Sequence, residues 1–217
     1  VFEKVLSKNA KESLAVLGKS GLMKLAYLAG GTALALQIGH RHSYDFDFFS
    51  TREFDEKVFL QKIVRLIPDF QLERKDWRII LGYIGKIRFS YFYYQYPLLF
   101  KKMNFSGINI AIADPRDIAA MKIAALSDRG TKRDFVDLYF IFAEEKIITL
   151  PETLKLYDKK FKTLRQNKIH IIKSLSYFED AEKDEMPKMI KPVNWKKVKE
   201  YFITEQKKIA NELIRTT

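Results

Sequence analysis

The chain has 217 residues, 47% of them hydrophobic, and a formal net charge of +12. That is enough apolar material for one domain, or one core with an appendage, and excludes a disordered chain. The lack of cysteine excludes disulfides and thiolate metal sites, three histidines argue against a histidine-rich zinc site, and no run of about 18 apolar residues marks a membrane span.

Val5, Leu6, Leu14 and Leu17 predict an N-terminal helix within residues 2–18, ended by Gly18 or Gly21. Residues 24–29 read as a short strand, and 32–38 as a helix closed by Gly39. Gly30 and Gly31 occupy the strand-to-helix joint. Glycine lets backbone N–H groups approach a ligand closely, and a helix N-terminus favours anions, so Gly30, Gly31 and the Thr32 hydroxyl form a candidate phosphate cradle. In the loop that follows, Arg41 and Ser43 are candidate nucleotide contacts; His40 and His42 either touch a nucleotide or are exposed loop residues, and exposure is the expected case. From Asp45 the chain alternates Asp-Phe-Asp-Phe, which predicts a strand. Asp45 and Asp47 share one side of it, and Phe46 and Phe48 point into a core. Two adjacent carboxylates repel one another and lose hydration, and a divalent cation relieves both costs. Oxygen-only ligands suit Mg²⁺, or Mn²⁺ in its place. A phosphate cradle one helix upstream of a carboxylate pair is a nucleotide site in outline.

Residues 53–67 predict a second helix with Phe54, Val58, Phe59, Ile63, Leu66 and Ile67 on its apolar face, ended by Pro68. Residues 78–83 and 86–93 flank Ile84-Gly85 as a hairpin, and 108–112 form a further strand. With no G-x-G-x-x-G and no P-loop, the class is α+β, a mixed sheet with helices. Asp114, Pro115 and Asp117 open a helix running to Leu126. Lys122 lies at the edge of its apolar stripe, where a lysine usually snorkels outward. Asp134 and Asp137, three apart, share a face of the next helix. They either favour its macrodipole or hold Lys122 or Arg133 by an ion pair. Residues 146–217 predict a C-terminal helical lobe packed on a core of residues 1–145, with Val198, Tyr201, Phe202, Ile209 and Leu213 on the buried side of the last helix. Residues 151–217 carry 16 Lys+Arg against 10 Asp+Glu, half the whole surplus. Such a lobe suits a polyanion such as RNA, or is simply a solvated face.

Glycine pair, helix and Asp-x-Asp strand together resemble the DNA polymerase β-type nucleotidyltransferases. More narrowly, residues 30–36, then Gly39-His40-Arg41, then 45–49 are similar to the AbiEii/AbiGii toxin family of nucleotidyltransferases. The Arg133-Asp134-x-x-Asp137-Leu138 helix start continues the likeness, and matched pieces touch most of residues 24–200. The resemblance implies a polymerase β-type core, and Lys122 meeting the phosphates of an NTP. It also implies a toxin of a toxin–antitoxin or phage-defence pair, with a cognate antitoxin partner. One departure stands out. Those enzymes usually carry a third carboxylate on a later strand, and Ser90 stands about where it is expected.

The expected activity is therefore metal-dependent transfer of a nucleoside monophosphate from an NTP to an RNA 3′ end (a tRNA, for instance) or a protein hydroxyl. Asp45, Asp47, Lys122, Asp134 and Asp137 are the catalytic candidates, with Asp45 and Asp47 as metal ligands. Gly30, Gly31, Thr32, Arg41, Ser43, Lys122 and Arg133 are the nucleotide-binding candidates. The missing third carboxylate motivates the rival, a nucleotidyltransferase fold that binds nucleotide, RNA or a protein partner with little turnover. A phosphohydrolase using the same metal site is a third reading. With no span and no signal peptide evident, the expected location is cytoplasmic.

Overall fold

The computed structural model describes residues 2–105, 107–162 and 168–216; the side chains of 168 and 213–216, Leu213 among them, lie outside the description. The chain forms two compact units, Val1–Asp114 and Pro115–Thr217. The division falls at the Asp114-Pro115 step, ahead of the 145/146 boundary expected from the sequence.

The first unit is built on a seven-stranded mixed sheet ordered β3-β4-β5-β2-β1-β7-β6. The strands are β1 (Ala26–Ala29), β2 (Asp45–Ser50), β3 (Phe70–Asp76), β4 (Ile79–Ile84), β5 (Ile87–Tyr93), β6 (Met103–Phe105) and β7 (Ile110–Ile112). β2 runs antiparallel to β1 and parallel to β5. Its alternation does what the sequence predicts: Phe46 and Phe48 are fully buried, while Asp45 and Asp47 are half-buried on the opposite face. Phe89 and Tyr91 of β5 register with Phe46 and Phe48 and share their face. Helix α3 (Glu56–Leu66) covers that face, with the Phe59 ring 4.0 Å from that of Tyr91. Each such fully buried aromatic contributes roughly 1.5–3 kcal/mol. The sequence places the α3 start too early. Asp55 accepts a hydrogen bond from the Val58 N–H at 2.9 Å and so caps the helix, leaving 53–55 outside it.

The N-terminal helix predicted over 2–18 is a 3₁₀ turn, Glu3–Val5, followed by α1 (Lys8–Lys19), which Ser7 caps. The turn's neighbourhood covers the loop after α2 (Gly30–Ile38). The Phe2 N–H donates to the Leu36 carbonyl at 2.8 Å, and the Ser43 N–H to the Val5 carbonyl at 3.2 Å. That cover corrects the expectation for the two histidines: His40 is fully buried and His42 half-buried.

The second unit is helical: α4 (Pro115–Asp128), α5 (Lys132–Tyr139), α6 (Leu150–Lys160), α7 (Lys168–Ser174), α8 (Glu179–Lys183) and α9 (Trp195–Thr216). α5 runs on into a π-helical turn, Phe140–Glu144. α4 packs on α6 and α7. The Phe135 ring of α5 lies 4.9 Å from Phe178 and 5.2 Å from Phe202, joining α5 to α9. α6 begins with a reciprocal capping box between Thr149 and Glu152, with Pro151 in its first turn. Among the described residues, no helix is long and apolar enough to cross a membrane.

Candidate active site

In the first unit, β1 ends at Ala29 and α2 starts at Gly30 with no intervening loop. The chain must turn sharply there, and Gly30 takes φ +66°, a left-handed conformation that suits glycine. A Cβ at Gly30 would lie 2.6 Å from Asp47 Oδ2, so the absence of a side chain makes room for that carboxylate. A Cβ at Gly31 would overlap Arg41 Nη2. The two glycines therefore accept the Asp47 carboxylate and the Arg41 guanidinium against the backbone. The guanidinium is buried, and its Nη1 donates to the His42 carbonyl at 3.0 Å.

Thr32 and Ser43 join the α2 start to the β2 start. The Thr32 hydroxyl donates to the Asp45 carbonyl, and its oxygen is 2.8 Å from Ser43 Oγ. Both residues are buried. Their hydroxyls hold the cradle and the carboxylate strand in register, a role the sequence did not separate from phosphate contact. Gly30, Gly31, Thr32, Arg41, Ser43, Asp45 and Asp47 thus gather at one end of β1 and β2.

The β2/β5 register bears on the third carboxylate. Asp47 pairs with Ser90 and Asp45 with Arg88, and paired residues of adjacent strands face the same way. A buried serine therefore stands beside Asp47. Among the described residues, no group of three His, Cys, Asp or Glu side chains converges. Two half-buried carboxylates backed by a glycine fit a hard divalent ion such as Mg²⁺, which characteristically takes one or two protein carboxylates and completes its shell with water and substrate phosphates.

The second unit holds the other candidates. Lys122 is 7% exposed and does not snorkel. Its Nζ lies 2.8 Å from Asp134 Oδ1 and 2.7 Å from Asp137 Oδ2. Asp134 also accepts from the Thr131 hydroxyl at 2.6 Å, and Thr131 caps α5 through the Asp134 N–H. Both carboxylates of the pair anchor the lysine, so the ion-pair alternative is realised at Lys122, with Thr131 as the helix cap. Arg133 points outward from α5 and is exposed.

A second buried pair lay outside the sequence reading. Lys160 Nζ is 2.9 Å from Asp117 Oδ1, and both side chains are fully buried. Asp117 reads locally as a first-turn acid of α4. Its partner is 43 residues away on α6, with no pattern to join them.

The model of the family described as nucleotidyl transferase AbiEii toxin, type IV toxin–antitoxin system, matches residues 13–97 and 84–212. An uncharacterized protein from Aquifex aeolicus is 40% identical over 200 residues, spanning 91% of this chain and 94% of its own length. Among solved structures, the crystal structure of JHP933 from Helicobacter pylori matches with TM-score 0.57 and 20% identity, over 97% of this chain and 96% of that one. MenT4, a nucleotidyltransferase toxin from Mycobacterium tuberculosis, matches with TM-score 0.55 and 17% identity, over 93% and 86%. At these identities the two structures speak to the fold, which is that of the polymerase β-type nucleotidyltransferases.

Proposed function

We propose, for a chain that belongs to the AbiEii nucleotidyl transferase toxin family, that it transfers a nucleoside monophosphate from an NTP to an acceptor hydroxyl, using Asp45 and Asp47 as ligands of a divalent metal. The observation that carries this reading is the juxtaposition at the β1–α2 joint, where Gly30 leaves room for the Asp47 carboxylate beside a helix N-terminus. Magnesium, when bound there, supplies charge neutralisation at the triphosphate and lowers the pKa of the attacking hydroxyl. The protein's own part is positioning and electrostatics. The first-turn N–H groups of α2 at Gly30 and Gly31 are donors for phosphate oxygens. Arg41, pressed on Gly31, adds a fixed positive charge to that end of the helix. Thr32 and Ser43 keep the helix start and the carboxylate strand at fixed spacing. The resemblance gives Lys122 the phosphate tail, with Asp134 and Asp137 as positioning residues that fix its ammonium. Arg133, exposed on α5, is a candidate nucleotide contact.

The acceptor we infer is an RNA 3′ end, in keeping with the basic surplus of the chain, and the partner a cognate antitoxin, in keeping with the family. Incubation with each α-labelled NTP, Mg²⁺ and total cellular RNA, beside Asp47→Asn, tests the reading. Label on RNA with wild type alone is the expected result, and label on protein would move the acceptor to a side-chain hydroxyl. Equal transfer by both proteins would refute the reading.

The serine beside Asp47 favours one rival: a fold that binds nucleotide with little turnover. It requires NTP binding without pyrophosphate release for any acceptor, and Asp47-dependent pyrophosphate release would eliminate it.

A further inference from the structure

The sheet face that carries Asp45 and Asp47 continues outward over three strands. Asp45 pairs with Arg88 of β5, Arg88 with Tyr83 of β4, and Tyr83 with Gln71 of β3. A second row runs from Asp47 through Ser90 and Leu81 to Arg74. Paired residues face the same way, so both rows lie on the carboxylate face. Phe46, Phe48, Phe89, Ile80 and Ile84 fill the opposite one. Along the carboxylate face, Tyr83 and Leu81 are half-buried, and Arg88, Gln71 and Arg74 are exposed. At about 5 Å between strands, Tyr83 stands roughly 10 Å from Asp45 across the sheet.

Rests on the transferase reading, but goes beyond it, the assignment of this surface: we propose that a single-stranded nucleic acid lays its acceptor end across these rows, with its terminal hydroxyl at Asp45 and Asp47, a base against the Tyr83 ring, and phosphates on Arg88 and Arg74. Three features favour that occupant. The track is continuous with the carboxylate pair, where an acceptor hydroxyl must arrive. Residues 70–93 carry five Lys and Arg against two Asp and Glu, which complements a polyanion. An aromatic ring on an accessible sheet face, flanked by guanidinium groups, is a recurrent means of holding an unpaired base. Arg88 reaches Glu73 at 3.5 Å and Arg74 reaches Asp76 at 2.5 Å. Both pairs are exposed and weak, and each guanidinium has five N–H donors, so each arginine can meet a phosphate.

The test is fluorescence anisotropy of a labelled single-stranded oligoribonucleotide of about ten residues, without nucleotide or metal, over a range of salt concentrations. Tyr83→Leu keeps an apolar side chain at the half-buried position and is expected to weaken binding about tenfold, while Tyr83→Phe, which retains a stacking ring, keeps wild-type affinity. The Arg74→Ala/Arg88→Ala variant is expected to flatten the dependence of log Kd on log salt by about 1.4, at roughly 0.7 per lost single-strand phosphate contact. Unchanged affinity and slope in both variants would overturn the proposal and leave the exposed edge strand β3 as a surface for a protein partner. Because binding is read without turnover, it is separable from the transferase reading, which fails on its own if Asp47→Asn transfers label normally.

Discussion

The two units treat charge in opposite ways. In the sheet unit, Asp45 and Asp47 put like charges side by side on a half-buried strand face. In the helical unit, two buried lysines meet carboxylates: Lys122 with Asp134 and Asp137, Lys160 with Asp117. Juxtaposed carboxylates are costly to the fold and useful to a cation. Matched pairs hold side chains in one geometry and become costly only when one partner is removed. The first arrangement presents adjacent oxygen donors that suit a hard cation. The second fixes its side chains in one geometry.

That contrast is broken most directly at the carboxylates. Asp45→Asn or Asp47→Asn is expected to lower label transfer at least about 10²-fold, with a urea midpoint close to that of wild type. A fall in stability instead would mean that the pair serves the fold.

In the helical unit the opposite outcome is expected. Lys160→Met removes the ammonium that lies 2.9 Å from the buried Asp117 carboxylate and should cost about 3–5 kcal/mol, read by chemical denaturation, with transfer per folded molecule unchanged. A cost near zero would show that Asp117 is held by something other than this lysine.

Gly30→Ala lies between these two. It forces a side chain into a left-handed conformation, at about 1–2 kcal/mol, and places a methyl group 2.6 Å from Asp47 Oδ2. Transfer should fall more than stability does, and a purely structural glycine would show the reverse.

The smallest effect belongs to Glu144. The Tyr139 hydroxyl at 2.7 Å and then the Lys197 ammonium at 3.0 Å hold its carboxyl below the usual range. A depressed folded-state value contributes stability above the ordinary carboxylate pKa, and that contribution is lost as pH falls through the depressed value. Glu144→Gln should therefore reduce stability slightly near neutrality and flatten the acid limb of the stability curve. The group is well exposed, so the change should be small, and an unchanged acid limb would remove it from the account.

The site's first half was legible because it is local. Gly30-Gly31, the helix to Ile38 and the alternation from Asp45 all lie within about two dozen residues, and each has its own period or turn chemistry. The hairpin was legible too, although Gly85, at φ +58°, and Lys86 form its turn in place of Ile84-Gly85. What escaped was non-local. The burial of His40 depends on Phe2 and Val5 folding back over the loop, and polar composition alone predicts exposure. Asp117 and Lys160 meet because α4 packs on α6, which no window of sequence records. The sequence offers an ion pair with Lys122 as one of two alternatives for Asp134 and Asp137, and the packing of α5 on α4 decides between them. For the same reason the unit boundary falls at Pro115: α4 packs with the later helices α6 and α7, a partnership set by tertiary contact.

The most direct test of the central claim is pyrophosphate release from an NTP in the presence of Mg²⁺ and RNA, measured for wild type and for Asp47→Asn at matched folded concentration. The account predicts release by wild type that chelation of the metal abolishes, and almost none by the variant. Release that survives both the substitution and the chelator would contradict it.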